Sequence, residues 1–344
     1  MILKKRIRVL IIDDSVVFRE LMKKGISTDP NIEVVDVAGD PFDARDKIIK
    51  YKPDVLTCDV EMPKMNGIEF IRRLMPQYPL PVVVVSTISE SVFDAMNAGA
   101  VDFVTKPDVR LAESVEAFLN ELIIKIKIAS TAKVLHRKSG NISRSDVAVA
   151  DTRTNVEIIA IGASTGGTEA IYSILKSLPP SIPGIVIVQH IPPFFSRMFA
   201  ERLNNSTHLK VKEARTGDYV ETGLVLVAPG DEHMRIKKIG GRYRTECFKG
   251  EKVNGHCPSV DVLFESVANE CGSNALGIIL TGMGYDGARG LLKMRRKGAR
   301  TIGQDEKSSV VYGMPKVAYE TGAVEKQVSL DNIPRLINSM ISAK

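Results

Sequence analysis

The sequence lacks the features that mark membrane and secreted proteins. Its apolar runs, such as residues 82–85 and 185–188, are far shorter than the roughly 20 residues of a membrane-spanning helix. Residues 1–6 contain no long apolar segment and no small-residue cleavage site, so we predict no signal peptide. We therefore expect a cytoplasmic protein that does not insert into a membrane.

Tryptophan is absent and cysteine is scarce. The cysteines form no C-x-x-C pair, and their spacing is not typical of a disulfide framework or of a zinc site. They are Cys58, Cys247, Cys257 and Cys271. Cys58 lies within an apolar run of strand character, so we predict a buried thiol at that position.

A large excess of one charge is also missing, because the formal net charge is only +6 over 344 residues. Hydrophobic residues make up 44% and charged residues 26%, as in an ordinary soluble globular protein. Basic residues cluster at 293–300, which would suit a DNA-binding regulator, but no helix-turn-helix, RRM or zinc-finger motif accompanies them. We expect a solvated surface and no nucleic-acid partner, and a salt-dependent binding titration tests the alternative.

Strand-length apolar runs alternate with helical periodicity in two series, which predicts two α/β domains. The first series has five strand–helix units, typical of a doubly wound (βα)5 parallel sheet, and is assigned to residues 1–128. A polar stretch without periodicity at 129–154 is interpreted as a linker. A second doubly wound, mostly parallel α/β domain is predicted for 155–344, with a β-hairpin around Gly240-Gly241.

Acidic residues gather at strand ends of the first domain. Asp13 and Asp14 follow the first strand, and Asp59 lies near the end of the third. Because the carboxyl ends of parallel strands meet at one edge, we expect these carboxylates to converge. Such a cluster suits Mg²⁺, which prefers carboxylate oxygens. Ser86 and Lys106 end the fourth and fifth strands, where they could hold the oxygens of a phosphoryl group on Asp59.

This pattern resembles the receiver domains of two-component response regulators over residues 6–125. The matching residues are Asp13-Asp14, Asp59, Met62-Pro63, Asn66-Gly67, Ser86 and Lys106-Pro107. The resemblance implies that a histidine kinase phosphorylates Asp59 with Mg²⁺ as cofactor. The implied ligands of the ion are Asp13, Asp14, Asp59 and the backbone carbonyl of Glu61. Phe103 takes the aromatic position that receivers use in switching, together with Ser86 and Lys106.

The second domain carries a G-x-S-x-G motif at 162–166, between a predicted strand and a predicted helix. This is the context of a nucleophile elbow, which would expose Ser164 at a sharp turn. The same segment could bind a phosphate, although it lacks the P-loop lysine and the second glycine of the dinucleotide-binding motif. The motif alone fits a hydrolase and an anion-binding turn equally well.

Two further strand ends favour the hydrolase. His190 ends the next strand and Asp286 lies in a Gly-rich loop after another, so both are expected on the same sheet edge as Ser164. A serine nucleophile needs a base, and the base needs an orienting partner, so we predict a Ser164–His190–Asp286 triad. A histidine base must be neutral, and activity should therefore fall below about pH 6–7. The order Ser–His–Asp differs from that of α/β-hydrolases, which argues against an ordinary lipase or esterase.

The second domain resembles the CheB family of chemotaxis receptor methylesterases. The matching stretches are 162–170, 189–190, 199–204, 258–264, 280–288 and 313–315. The resemblance implies that γ-glutamyl methyl esters and certain glutamines of chemoreceptors are the substrates, and that hydrolysis needs no cofactor. It also implies that the Met283 backbone N–H stabilises the oxyanion and that Thr165 supports His190.

A receiver joined by a linker to a hydrolase suggests control of the second domain by the first. We expect the unphosphorylated receiver to cover the active site, so that deleting residues 1–150 raises basal activity. The main alternative is a non-enzymatic response regulator whose second domain binds a nucleotide or a partner protein. Covalent labelling of Ser164 by a fluorophosphonate distinguishes the two.

Overall fold

A computed structural model describes residues 5–87, 91–134 and 156–341. The chain divides into two compact units, Met1–Gly140 and Asn141–Lys344. Most of the predicted linker lies outside the described residues. Residues 1–4, part of the segment for which no signal peptide is predicted, also lie outside them. The domain limits 1–128, 129–154 and 155–344 therefore stay predictions. No described helix combines the length and the apolar character needed to cross a bilayer.

The first unit is a parallel five-stranded sheet in the order β2-β1-β3-β4-β5. Its strands are β1 Ile7–Ile12, β2 Ile32–Ala38, β3 Val55–Asp59, β4 Val82–Ser86 and β5 Asp102–Thr105. The helices are α1 Val16–Ile26, α2 Pro41–Tyr51, α3 Gly67–Leu74, α4 Ser91–Ala98 and α5 Ala112–Ala129. Strands β3 and β4 are buried along their whole length, which explains why their sequences are mostly apolar and do not alternate with polar residues.

The second unit is a parallel seven-stranded sheet in the order β14-β13-β12-β6-β7-β9-β8, with a separate hairpin of β10 and β11. Its strands are β6 Ile158–Ala163, β7 Gly184–Gln189, β8 Lys210–Glu213, β9 Leu224–Val227, β10 His233–Ile239, β11 Arg242–Phe248, β12 Ala275–Ile279, β13 Arg300–Gln304 and β14 Lys326–Val328. The helices are α6 Gly167–Leu175, α7 Phe195–Ser206, α8 Val260–Glu270, α9 Ala288–Arg296, α10 Met314–Glu320 and α11 Ile333–Ile341.

The predicted fold class is confirmed in both units. All strand pairs of the two large sheets are parallel, and the only antiparallel ladder among the described strands is the predicted hairpin. Gly240 and Gly241 have φ of 59° and 79°, the left-handed conformation that a tight hairpin turn requires. All four cysteines are free, and Cys58 is buried as predicted.

Several elements were not predicted from the sequence. They are α3, α7, α10, α11 and the sheet edges β8 and β14. Helix α7 begins after Phe194 without a capping side chain, so the usual start pattern is missing from its sequence. Strand β14 has three residues, all partly exposed, which leaves no alternation to detect.

Candidate functional sites

The acidic cluster of the first unit lies at the carboxyl edge of its sheet. Strands β1 and β3 are neighbours, so Asp13 directly after β1 comes close to Asp59 at the end of β3. Carboxylate oxygens of Asp13, Asp14 and Asp59 lie within 4.8 Å of one another. Asp13 and Asp59 are buried and Asp14 is exposed. A compact set of hard oxygen donors with one open side fits a Mg²⁺ ion.

Lys106 neutralises the cluster. Its Nζ lies 2.8 Å from Asp13 Oδ2 and 2.6 Å from Asp59 Oδ2. Burial disfavours the ammonium, but the hydrogen bonds to the two carboxylates outweigh burial and raise the pKa of Lys106. Burial also raises the pKa of Asp59, and Lys106 opposes that rise. The ion pair thus opposes the protonation of Asp59 that burial favours.

The remaining predicted receiver residues lie on β4, on β5 and just after β3 of the same sheet. Ser86 ends β4 and is buried, and its Oγ has no hydrogen-bond partner among the described residues. Buried hydroxyls are normally paired, so this one suits a ligand oxygen. The Glu61 backbone N–H donates to Asp59 Oδ1 at 3.2 Å. Phe103 is buried on β5, where Lys125 Nζ lies 5.1 Å from its ring centroid.

Ser164 lies at the centre of the second sheet, directly after β6. Its backbone N–H donates to Thr281 O at 3.0 Å, beyond the end of β12 on one side. On the other side, the backbone N–H of His190, directly after β7, donates to Ala163 O at 3.1 Å. Gly166 has φ of +76°, and a Cβ on Gly167 would lie 2.1 Å from Gln189 Oε1. The turn therefore requires glycine at both positions.

Gln189 is a functional position that the sequence reasoning missed. Its side-chain Nε2 donates to Ser164 O at 2.9 Å and to His190 O at 3.1 Å. One buried amide therefore fixes the backbone of both residues. The sequence marked Gln189 only through the matching stretch 189–190, which assigned it no role.

His190 and Asp286 form a buried hydrogen bond of 2.9 Å between Nε2 and Oδ2. Because Asp286 accepts the proton of Nε2, Nδ1 is the nitrogen left to act as a base. This reverses the roles that the two nitrogens have in the template triad of serine proteases. Nδ1 is buried and has no hydrogen-bond partner among the described residues, and no hydrogen bond joins it to Ser164 Oγ. Catalytic hydrogen bonds often close only when substrate binds.

Asp286 is held as an anion by the start of α8. It accepts four bonds besides that of His190, from Asn254 Nδ2, Ser259 Oγ and the backbone N–H groups of Val260 and Asp261. Burial raises the pKa of Asp286, but the hydrogen bond and charge of His190, with the bonds from Asn254 and Val260, hold it well below its usual range. A helix N-terminus favours a carboxylate in the same way.

A two-residue turn supplies further groups that the sequence reasoning missed. Asn254 and Gly255 have φ of 54° and 83°, and Asn254 Nδ2 also donates to Asp261 Oδ2 at 2.8 Å. The next residue, His256, stacks its imidazole on that of His190, with ring centroids 3.6 Å apart and planes 12° apart. An Asn-Gly pair is a turn pattern, but its position beside the triad depends on the fold.

The predicted supporting residues lie around the same edge. Met283 lies in the loop after β12 and is 43% exposed. Its backbone N–H donates no hydrogen bond to an acceptor among the described residues. Thr165 is buried, and its carbonyl accepts a hydrogen bond of 3.0 Å from Thr281 Oγ1. The structure thus brings all five predicted residues of the hydrolase to one end of the sheet: Ser164, Thr165, His190, Met283 and Asp286.

Each of the two domains matches a known protein family. Residues 159–337 match the CheB methylesterase family, and residues 9–118 match the response regulator receiver domain. The chain belongs to the CheB methylesterase family. The resemblance expected from the motifs is confirmed, and the second domain is a CheB methylesterase domain joined to a receiver.

Relatives of the full length support this membership of the CheB family. A protein-glutamate methylesterase/protein-glutamine glutaminase of Syntrophomonas wolfei is 60% identical, with 98% of each chain covered. The relative of the same name in Syntrophotalea carbinolica is 53% identical over 97% of this chain and 98% of its own. The crystal structure of the Thermotoga maritima CheB methylesterase catalytic domain covers 54% of this chain and 98% of that one. Its TM-score is 0.53 and its sequence identity 36%.

Proposed function

We propose that this protein is a cytoplasmic serine hydrolase that removes methyl esters from glutamyl side chains of chemoreceptors and deamidates specific receptor glutamines. The observation that carries the proposal is the bond between His190 Nε2 and ionised Asp286, which leaves Nδ1 as the base beside a nucleophile elbow. The names of the relatives, methylesterase and glutaminase, support the substrate class.

The geometry supports a two-step hydrolysis. Ser164 Oγ attacks the ester carbonyl carbon while His190 Nδ1 takes the hydroxyl proton, and Asp286 stabilises the imidazolium. The oxyanion receives a hydrogen bond from the Met283 N–H, of a kind that contributes about 3–4 kcal/mol. His190 returns the proton to the leaving group: the ester oxygen departs as methanol, or the amide nitrogen of a glutamine departs as ammonia. Water then attacks the acyl group, with His190 again as base, and the glutamate is released.

We further propose that phosphorylation of Asp59 by a histidine kinase raises this activity. The Asp59 carboxylate accepts the phosphoryl group from a phosphohistidine, and Lys106 and Ser86 hold its oxygens. Asp13, Asp14, Asp59 and the Glu61 carbonyl would hold Mg²⁺, which when bound neutralises charge on the phosphoryl oxygens. The orphaned hydroxyl of Ser86 and the three converging carboxylates support this assignment.

Methanol release from methylated receptor membranes tests the hydrolase. Ser164→Ala should abolish release while the melting temperature stays unchanged, and Ser173→Ala on α6 is the matched control. A fluorophosphonate should label the wild-type protein at Ser164. Near-wild-type release by Ser164→Ala contradicts the proposal. An unlabelled, inactive wild type favours the alternative, a non-enzymatic output domain.

The same assay tests the control. A small phosphodonor with Mg²⁺ should raise the rate of the wild type but not of Asp59→Asn, which lacks the acceptor carboxylate. If Asp59→Asn is stimulated equally, the phosphoryl group acts elsewhere.

A further inference from the structure

We propose that His256 is a positioning residue of this active site, whose ring clamps the imidazole of His190 so that Nδ1 faces Ser164. The inference rests on the proposed function and deepens it. It starts from the stacking of the two rings, with centroids 3.6 Å apart and planes 12° apart. At that separation the two rings are in van der Waals contact across their faces.

The contact with His256 restricts a motion of the His190 ring that the hydrogen bond to Asp286 leaves free. A ring held only at Nε2 can still tilt about that bond, and tilting moves Nδ1 away from the nucleophile. A flat partner in contact with one face restricts the tilt. Misplacement of a catalytic group by about 1 Å can cost about 100-fold in rate. The orientation of the base therefore depends on a second contact, and His256 provides it.

His256 is itself carried on a rigid support. Val253 and His256 exchange two backbone hydrogen bonds of 3.0 Å, which close the turn through Asn254 and Gly255. Positive φ at both central residues is what a type I′ turn requires. The Asn254 side chain ties this turn to Asp286 at 2.7 Å. One turn thus anchors the acid of the triad and the ring that covers the base.

Burial keeps His256 neutral. Burial, together with the nearby His190 and Lys252 and against the opposing charge of Asp286, lowers the pKa of His256 to about 4. At neutral pH the stacked ring carries no charge, so it does not compete for the catalytic proton.

Substitution of His256 in the full-length chain tests the proposal, with methanol release measured across pH. His256→Ala should lower kcat 10- to 100-fold with KM within about twofold of wild type. Water entering beside His190 should stabilise the imidazolium, so the acidic limb of kcat/KM should move to higher pH. His256→Phe keeps a flat ring, so we expect kcat within about threefold and an unchanged limb.

Failure of the His256 proposal and failure of the proposed hydrolase give different experimental results. A wild-type kcat and limb in His256→Ala overturn the clamp, as does a His256→Phe that is as slow as His256→Ala. If His256→Ala fails to fold, His256→Leu replaces it, and equal rates for Leu and Phe overturn the clamp. An active Ser164→Ala, or a wild type without methanol release, overturns the hydrolase itself before any His256 variant is considered.

Discussion

The side-chain nitrogen of Asn254 donates to Asp286 Oδ1 at 2.7 Å, and the same nitrogen lies 2.8 Å from Asp261 Oδ2. Asp261 is buried, and burial raises its pKa, with the charge of Asp286 acting in the same direction. The side-chain amide of Asn254 therefore joins two buried carboxyl groups whose pKa values are shifted in opposite directions. Asp286 is held ionised, while protonation of Asp261 is eased.

Replacing Asn254 should destabilise the second unit by an amount that depends on the substitute. Asn254→Gly keeps the positive φ but loses both bonds, so we expect the free energy of unfolding to fall by about 1.5–3 kcal/mol. Asn254→Ala adds about 1 kcal/mol of backbone strain. Thermal unfolding of the full chain measures both. Equal stability of the two variants contradicts the role of the left-handed backbone.

Asp286 should make stability depend on pH. Its pKa is depressed in the folded protein, so its contribution is full above the unfolded value of about 3.9 and is lost as pH falls towards the folded value. Urea unfolding at a series of pH values should show wild type and Asp286→Asn converging below about pH 4. A gap that is constant with pH would sink this explanation. At neutral pH, Asp286→Asn should also lose about 10⁴-fold in kcat, through the wrong tautomer of the base.

Lys106→Ala should destabilise the first unit strongly in EDTA. Removing the ammonium leaves Asp13 and Asp59 buried without a counter-ion, which costs about 3–5 kcal/mol. Mg²⁺ should then raise the melting temperature of the variant more than that of wild type, because the cation replaces the lost charge. The matched control is Lys64→Ala, since the Lys64 side chain is 63% exposed and its pair with Asp40 should contribute about 1 kcal/mol or less. If Lys106→Ala loses no more stability than Lys64→Ala, the prediction is contradicted.

Phe194 stores backbone strain in the segment that follows His190. It has φ of 72° and ψ of −46°, and the residue is 57% exposed. Phe194→Gly and Phe194→Ala both remove the ring, but only glycine adopts this backbone without cost. We expect the glycine variant to be more stable than the alanine variant by about 1 kcal/mol. If the alanine variant is as stable as the glycine variant, the backbone at residue 194 relaxes and the prediction of strain is wrong.

Strand ends and parallel pairing could be predicted because they follow from simple patterns. Mostly apolar runs marked β3, β4, β6 and β7, and parallel pairing then predicted one edge for Ser164, His190 and Asp286. The full strand order, with β6 at the centre of the second sheet, was not predicted. The residues that hold these groups in place were missed. Gln189 and His256 act through an exact register and a stacked ring, and neither leaves a periodic trace in the sequence.

The central place of β6 has a consequence for how this protein is made. Ser164 follows the first strand of its sheet to be synthesised, yet the strand on one side of it, β12, and the loop with Asp286 come more than 100 residues later. In the proposed mechanism, a nascent chain would expose Ser164 long before the groups that make it reactive. We therefore expect hydrolysis to begin only when nearly the whole polypeptide has left the ribosome, and truncated products to be inert.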